Sequence, residues 1–212
     1  MSFELELSRG WIDAELAAEF PDLALLQVSL EARSGRTPPM VKERLREMSN
    51  RFTGGKAVLV RQQPVPWAYR VFFRQIGIDP DERRTPVEAA ALERMRAGAF
   101  QSTNLLDDAL LIATVETGVP VLAFDQDRLQ GEVGLRLAQA GEKAPHPLRG
   151  GEIVTADDAG PLSVLFGEPN PDRGVTRATE RMLLAAVQVK GVPDVSVEEA
   201  LWTVTETLGV GA

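Results

Sequence analysis

Cysteine is absent from the 212-residue sequence, and histidine occurs once, at His146. The first absence removes disulfides, thiolate nucleophiles, iron–sulfur clusters and Cys-based zinc sites. The second removes multi-histidine metal centres and leaves a single candidate for imidazole acid–base chemistry. That candidate sits in Pro145-His146-Pro147, a stiff extended stretch outside any apolar periodicity, and reads as a loop residue. No bound transition metal and no other cofactor are expected. Apolar residues reach 44%, yet no run approaches the roughly 20 that span a bilayer, so no membrane partner is expected. Met1-Ser2-Phe3-Glu4-Leu5-Glu6 has neither a basic start nor a long apolar core, so no signal peptide is readable and a cytoplasmic location is expected. The phosphate-binding Walker loop, the G-x-S-x-G elbow, the dinucleotide G-x-G-x-x-G and the H-E-x-x-H zinc signature are all missing.

What is present is an uneven distribution of charge. The chain carries 23 Lys and Arg against 31 Asp and Glu, a net of −8. Between Arg33 and Arg96 the balance reverses, with 14 basic and 7 acidic residues, a net of +7. The remainder holds 9 basic and 24 acidic residues, a net of −15. Such asymmetry fits either a face for a polyanion or a solvated Arg-rich helical surface.

The length suits one domain, taken as residues 1–212, with no internal repeat or linker. Alternation predicts a strand at Phe3–Leu7, and an apolar run after Pro21 predicts another at Leu23–Leu30. Pro38-Pro39 opens a helix with Met40, Val41, Leu45 and Met48 on its apolar side, and Gly54-Gly55 ends it. Pro66 opens the next, with Trp67, Val71 and Phe72 at helical spacing. Thr85-Pro86-Val87-Glu88 has capping-box spacing, and Gly98 closes that helix. Asn104 caps a further helix that stops at Gly118. Short strands are then predicted at Val121–Phe124, Val133–Leu137, Glu152–Thr155 and Leu162–Phe166. Met182–Val189 reads as a buried strand rather than a short helix, and Ser196-Val197-Glu198-Glu199 as the cap of a last helix through Leu208. Helices in the middle with strands behind them give an α+β class.

Few residues offer chemistry. Asp107-Asp108 and Asp125-Gln126-Asp127 are paired carboxylates, suited to Mg²⁺ or split acid–base work, and equally to helix and turn stabilisation. Trp67, Tyr69, Phe72 and Phe73 interleave with Arg70 and Arg74, a mixture that stacks bases and binds phosphate or simply fills a core. Thr176 and Thr179 are candidates for a polar pocket wall.

Several segments taken in order resemble one family. They are Trp67-Ala68-Tyr69-Arg70, Arg84-Thr85-Pro86-Val87-Glu88-Ala89, Thr103-Asn104-Leu105-Leu106-Asp107, Ala123-Phe124-Asp125 with Asp127, Leu129 and Gly131, and Leu135-Arg136-Leu137 followed by Gly141-Glu142-Lys143. Together they resemble the free-standing form of the tRNA-binding B-three/B-four (B3/B4) domain of the phenylalanyl-tRNA synthetase beta subunit, over roughly residues 60 to 190. The resemblance implies an α+β fold around a mostly antiparallel sheet. It also implies tRNA or aminoacyl-tRNA as partner, and an editing activity that hydrolyses tyrosine misattached to the phenylalanine tRNA. On that reading Arg70, Arg74, Arg83 and Arg84 contact RNA, and Asn104, Asp107, Asp125, Ser163, Thr176 and Thr179 line the pocket. The domains for aminoacylation itself are not in this sequence.

Four positions depart from the family. The histidine of its P-x-H-A-F-D segment is Leu122, and the V-D-x-T-N threonine falls near Ala109 or Leu110. The glycine-rich strand reads Leu162-Ser163-Val164-Leu165-Phe166-Gly167-Glu168, and the late glutamate aligns with Ala185. Apolar replacements imply a drier, smaller pocket that supplies no partner to a buried phenol hydroxyl. Two functions therefore compete: a tRNA-binding module, possessing or lacking deacylase activity, and a small-molecule pocket protein that kept the fold and lost the RNA.

Overall fold

The computed structural model describes residues 6–209. Among them the fold is α+β, with seven α-helices and two four-stranded, mostly antiparallel sheets. Contacts gather into two compact units, each built from two stretches of chain: 6–33 with 122–188, and 34–121 with 189–209. No helix among the described residues is long and apolar enough to cross a membrane.

The first unit holds the sheets. The strands are β1 (Ser8–Arg9), β2 (Trp11–Ile12), β3 (Ala24–Glu31), β4 (Val121–Asp125), β5 (Gly134–Leu137), β6 (Ile153–Asp157), β7 (Gly160–Val164) and β8 (Arg181–Gln188), and a short helix α1 (Ala14–Glu19) follows β2. One sheet has the order β1-β3-β8-β4. Its spine is the antiparallel β3–β8 pair, in register from Ala24↔Gln188 to Glu31↔Arg181. Every residue of β8 after Arg181 is buried. A strand covered on both faces reads as a continuous apolar run, and the structure bears out the strand expected over Met182–Val189. The second sheet has the order β2-β5-β6-β7, with β2–β5 its parallel pair and a bulge between Thr155 and Ala156. Gly134 lies opposite Trp11 in that pair, and a Cβ there would collide with the indole ring.

The second unit is helical: α2 (Pro39–Arg51), α3 (Gly54–Leu59), α4 (Pro64–Gln75), α5 (Pro86–Ala97), α6 (Leu105–Thr117) and α7 (Asp194–Thr207). Val41, Leu45 and Met48 of α2 meet Phe100 and Ile112, and Phe52 packs edge-on to Phe100 at 5.5 Å between ring centres. Ala109, Ile112 and Ala113 of α6 and Val197, Ala200, Leu201 and Val204 of α7 are fully buried where those two helices pack. Removing each large side chain from water contributes about 1.5–3 kcal/mol.

Several expected boundaries shift. The strand expected at 3–7 lies mostly outside the described residues. Met40 is 81% exposed, so the apolar face of α2 begins at Val41. Gly54-Gly55 does not merely end α2 but opens α3. Helix α4 starts two residues early because Pro64 occupies its first turn. Its buried side is Ala68, Tyr69, Phe72 and Phe73, while Trp67 and Val71 face solvent. Strand β7 ends before Phe166, whose φ of 57° is left-handed and breaks extension. Helix α7 begins at Asp194, ahead of the capping box expected at Ser196.

Candidate functional site

The polar residues singled out by the sequence fall into two local groups, one in each unit. In the helical unit, Asn104 caps α6: its Oδ1 accepts from the Asp107 amide at 3.0 Å and its Nδ2 donates to Asp107 Oδ2 at 2.6 Å. Asn104 also accepts from the Ser34 hydroxyl at 3.2 Å. Both candidates are thus committed to holding the start of the helix. Their neighbour Asp108 is fully buried and accepts from Thr37 and Ser102 hydroxyls, each at 2.6 Å, and from the Thr103 amide at 2.9 Å. It organises the loop that leads into α6 rather than offering a free carboxylate.

The arginines of this unit divide sharply. Arg70 is 3% exposed. It donates to Glu88 at 2.6 Å and to Asp81 at 2.7 Å. Glu88 in turn accepts from both the hydroxyl and the amide of Thr85 in the capping box of α5. The hydrogen bond from Arg70 holds the Asp81 carboxyl below its usual range. Burial and this ion-pair cluster place the Arg70 guanidinium inside the helical unit, unlike the other three arginines that the sequence grouped with it. Arg74 is different: its guanidinium lies 5.7 Å from the ring centre of the half-exposed Trp67. Arg83 and Arg84 are exposed in the segment before α5.

In the sheet unit, Asp125, Thr176 and Thr179 come together. The buried Thr179 hydroxyl donates to Asp125 Oδ2 at 2.6 Å and accepts from the Thr176 amide at 2.9 Å. Asp125 Oδ1 takes the Asp127 amide at 3.1 Å, and Arg128 Nε stands 3.3 Å from Oδ2. Arg173 ties this group to a second buried acid, since its carbonyl accepts from the Asp125 amide at 2.9 Å and its Nε lies 3.7 Å from Asp157. Asp157 also accepts amides from Gln130, Ala159 and Gly160.

Ser163 stands apart from that network. It is fully buried on β7 and pairs across the ladder with Thr155 of β6, also fully buried. Neither hydroxyl has a hydrogen-bond partner among the described residues. A buried hydroxyl left unmatched costs about 1–3 kcal/mol, so two of them directly opposite each other are a chemical feature rather than filler. Sequence reading missed Thr155, Asp157 and Arg173. Asp157-Asp158-Ala159-Gly160 carried a turn signal, but the Thr155–Ser163 pairing arises from register across a turn and left no local mark.

The positions that depart from the family pattern are dry. Leu122, Ala109, Leu162 and Ala185 are buried apolar residues, and Leu110 is half-buried. His146 is exposed in its loop, its carbonyl accepting from the Ala144 amide at 2.9 Å.

Comparison with known proteins agrees with this architecture. Residues 68–197, more than half of the chain, match the family model for the B3/4 domain. Among curated proteins, the phenylalanine–tRNA ligase beta subunit of Xanthomonas campestris pv. campestris (strain 8004) is 42% identical over 83 residues, covering 39% of this chain and 10% of the relative. That of Streptomyces avermitilis is 32% identical over 94 residues, 42% of this chain and 11% of the relative. That of Xylella fastidiosa (strain Temecula1) is 38% identical over 82 residues, with 39% and 10% covered. The matches thus span about a tenth of these relatives' length.

Proposed function

From the premise that this chain belongs to the B3/4 domain family, we propose that it is a tRNA-binding module. Membership in the family supports a tRNA-related role. The observation that carries binding is the cationic stretch from Arg33 to Arg96, net +7 in a chain of net −8. Binding to a polyanion rests on such cations displacing counterions, and it needs them concentrated rather than scattered among acids. The exposed Arg74, Arg83 and Arg84 are the assigned contacts on this reading. Titrating tRNA binding against salt tests it: affinity falls steeply with salt, and neutralising Arg74 and Arg84 flattens the dependence. Absence of binding at low salt would favour the small-molecule alternative instead.

A second reading, hydrolysis of a misattached aminoacyl ester in trans, is favoured by the Thr155–Ser163 pair. Two fully buried hydroxyls with unused hydrogen-bonding capacity suit an internal water rather than direct contact with a substrate. The resemblance sets the apolar Leu122 and Ala185 where the family has polar groups, which directs the reading away from a tyrosyl phenol and toward an apolar or small aminoacyl group. A panel of mischarged tRNAs decides it. Ester loss above the blank that is diminished in Ser163→Ala supports deacylation, and no loss for any tRNA leaves binding alone.

A further inference from the structure

Two concavities in the helical unit flank α5 and meet at Arg84 and Leu92, which line both. The larger, of about 540 Å³, has an apolar floor of Ala90, Phe100 and Leu111 with Arg94 and Arg96 at its edge. The smaller, of about 350 Å³, is walled by Val58, Ala91 and Met95 with Arg61 at its edge. Val58 is 63% and Met95 45% exposed, so this apolar surface is open to a partner. Arg84 and Arg96 make no ion pair among the described residues. Arg94 is half-buried and fixed by donating to the Ser49 carbonyl at 2.8 Å. The acids at the two sites are Glu93, Glu88 and Asp81, of which the last two are bound to Arg70, with Asp81 also 4.0 Å from the exposed Arg61.

This combination is specific. Phosphate gains nothing from an alanine, a leucine or a phenylalanine floor, whereas an unstacked base does. A free nucleotide would fill one concavity and leave the adjoining one, with its own guanidinium, unused. A duplex keeps its bases stacked inside and offers only its backbone. Resting on the tRNA reading above, we propose that the α5 surface grips an unpaired RNA segment, one base in each concavity. Arg61, Arg84, Arg94 and Arg96 then meet the phosphates that join those bases. Of the arginines that the sequence marked as RNA-contacting, Arg84 belongs to this surface, and Arg61, Arg94 and Arg96 join it there.

The test uses the full chain with three probes: a tRNA transcript, a labelled short single-stranded RNA, and the same sequence as a duplex. Arg84→Ser with Arg96→Ser removes two exposed cations, and Ala89→Glu places a carboxylate on the exposed side of the larger concavity without touching the core. Circular dichroism verifies that both variants fold. The expected result is preference for the single strand over the duplex, with affinity reduced about tenfold or more in each variant. The log–log salt slope for the single strand should fall by about 1.4 in the double variant, from about 0.7 per phosphate contact. Equal binding of duplex and single strand, full competition by adenosine monophosphate, or unchanged affinity in both variants would overturn the proposal. If tRNA still binds in that last case, the tRNA reading survives and only this site is wrong. If neither tRNA nor the single strand binds at low salt, both fall together.

Discussion

The guanidinium of Arg70 lies 2.6 Å from the carboxylate of Glu88, with side chains only 4% and 8% exposed. This pair links α4 to the capping box of α5, because the same carboxylate accepts from Thr85. Removing one partner strands the other charge inside the unit. Arg70→Met should cost about 3–5 kcal/mol in denaturant unfolding. Arg70→Met with Glu88→Leu should recover a substantial part of that loss. A single variant as stable as the parent would contradict the structural role given to Arg70.

Asp108 is a second buried carboxyl group, and its partners are neutral. Two hydroxyls and an amide converge on it from 37 and 102–103, so Asp108→Ala leaves three donors unmatched. A loss of about 3 kcal/mol is expected, larger than for the exposed neighbour in Asp107→Ala. Thermal or urea unfolding of the two variants side by side checks the ranking.

Acid stability has a defined sign. Arg136 makes two hydrogen bonds to Glu142, at 2.7 and 2.8 Å, and these hold the Glu142 carboxyl below its ordinary value. A carboxyl lowered on folding contributes stability that is complete above the unfolded-state value of about 4.3. That contribution disappears as pH falls through the lower folded value. Unfolding free energy measured from neutral to acid pH should fall less in Arg136→Met than in the parent over that window. Parallel curves would exclude the pair as a source of acid sensitivity.

Thr155 and Ser163 separate a structural from a chemical role. Thr155→Val and Ser163→Ala remove hydroxyls that satisfy nothing in the protein, so stability should stay the same or rise. If the pair serves ester hydrolysis, the same variants lose deacylation while folding normally. Destabilisation of both would show instead that the hydroxyls hold the sheet together.

The legible parts of this fold are those written in adjacent residues. Thr85 with Glu88, Asn104 with Asp107, and the left-handed Gly98 and Gly118 are local chemistry, and the structure places each at the helix end expected of it. The continuous apolar run of β8 likewise identified a buried strand. Strands β1 and β2 are two residues each, too short to show a period, and exist because β3 and β5 lie beside them. The burial of Arg70 depends on carboxylates 11 and 18 residues away, so helical spacing alone displayed it as a surface cation. In the site, Asp125 with Thr176 and Thr179 came from separate motifs that the fold joins, whereas Thr155 needed the register of a hairpin to become visible.

The account turns on whether an acidic chain holds tRNA through the cations of its helical unit. The direct measurement is the equilibrium affinity for a tRNA transcript across a salt series, for the parent and for Arg84→Ser with Arg96→Ser. The account predicts a steep linear log–log dependence in the parent and a shallower one, with weaker affinity, in the variant. No binding at the lowest salt, or identical slopes for the two proteins, would contradict it.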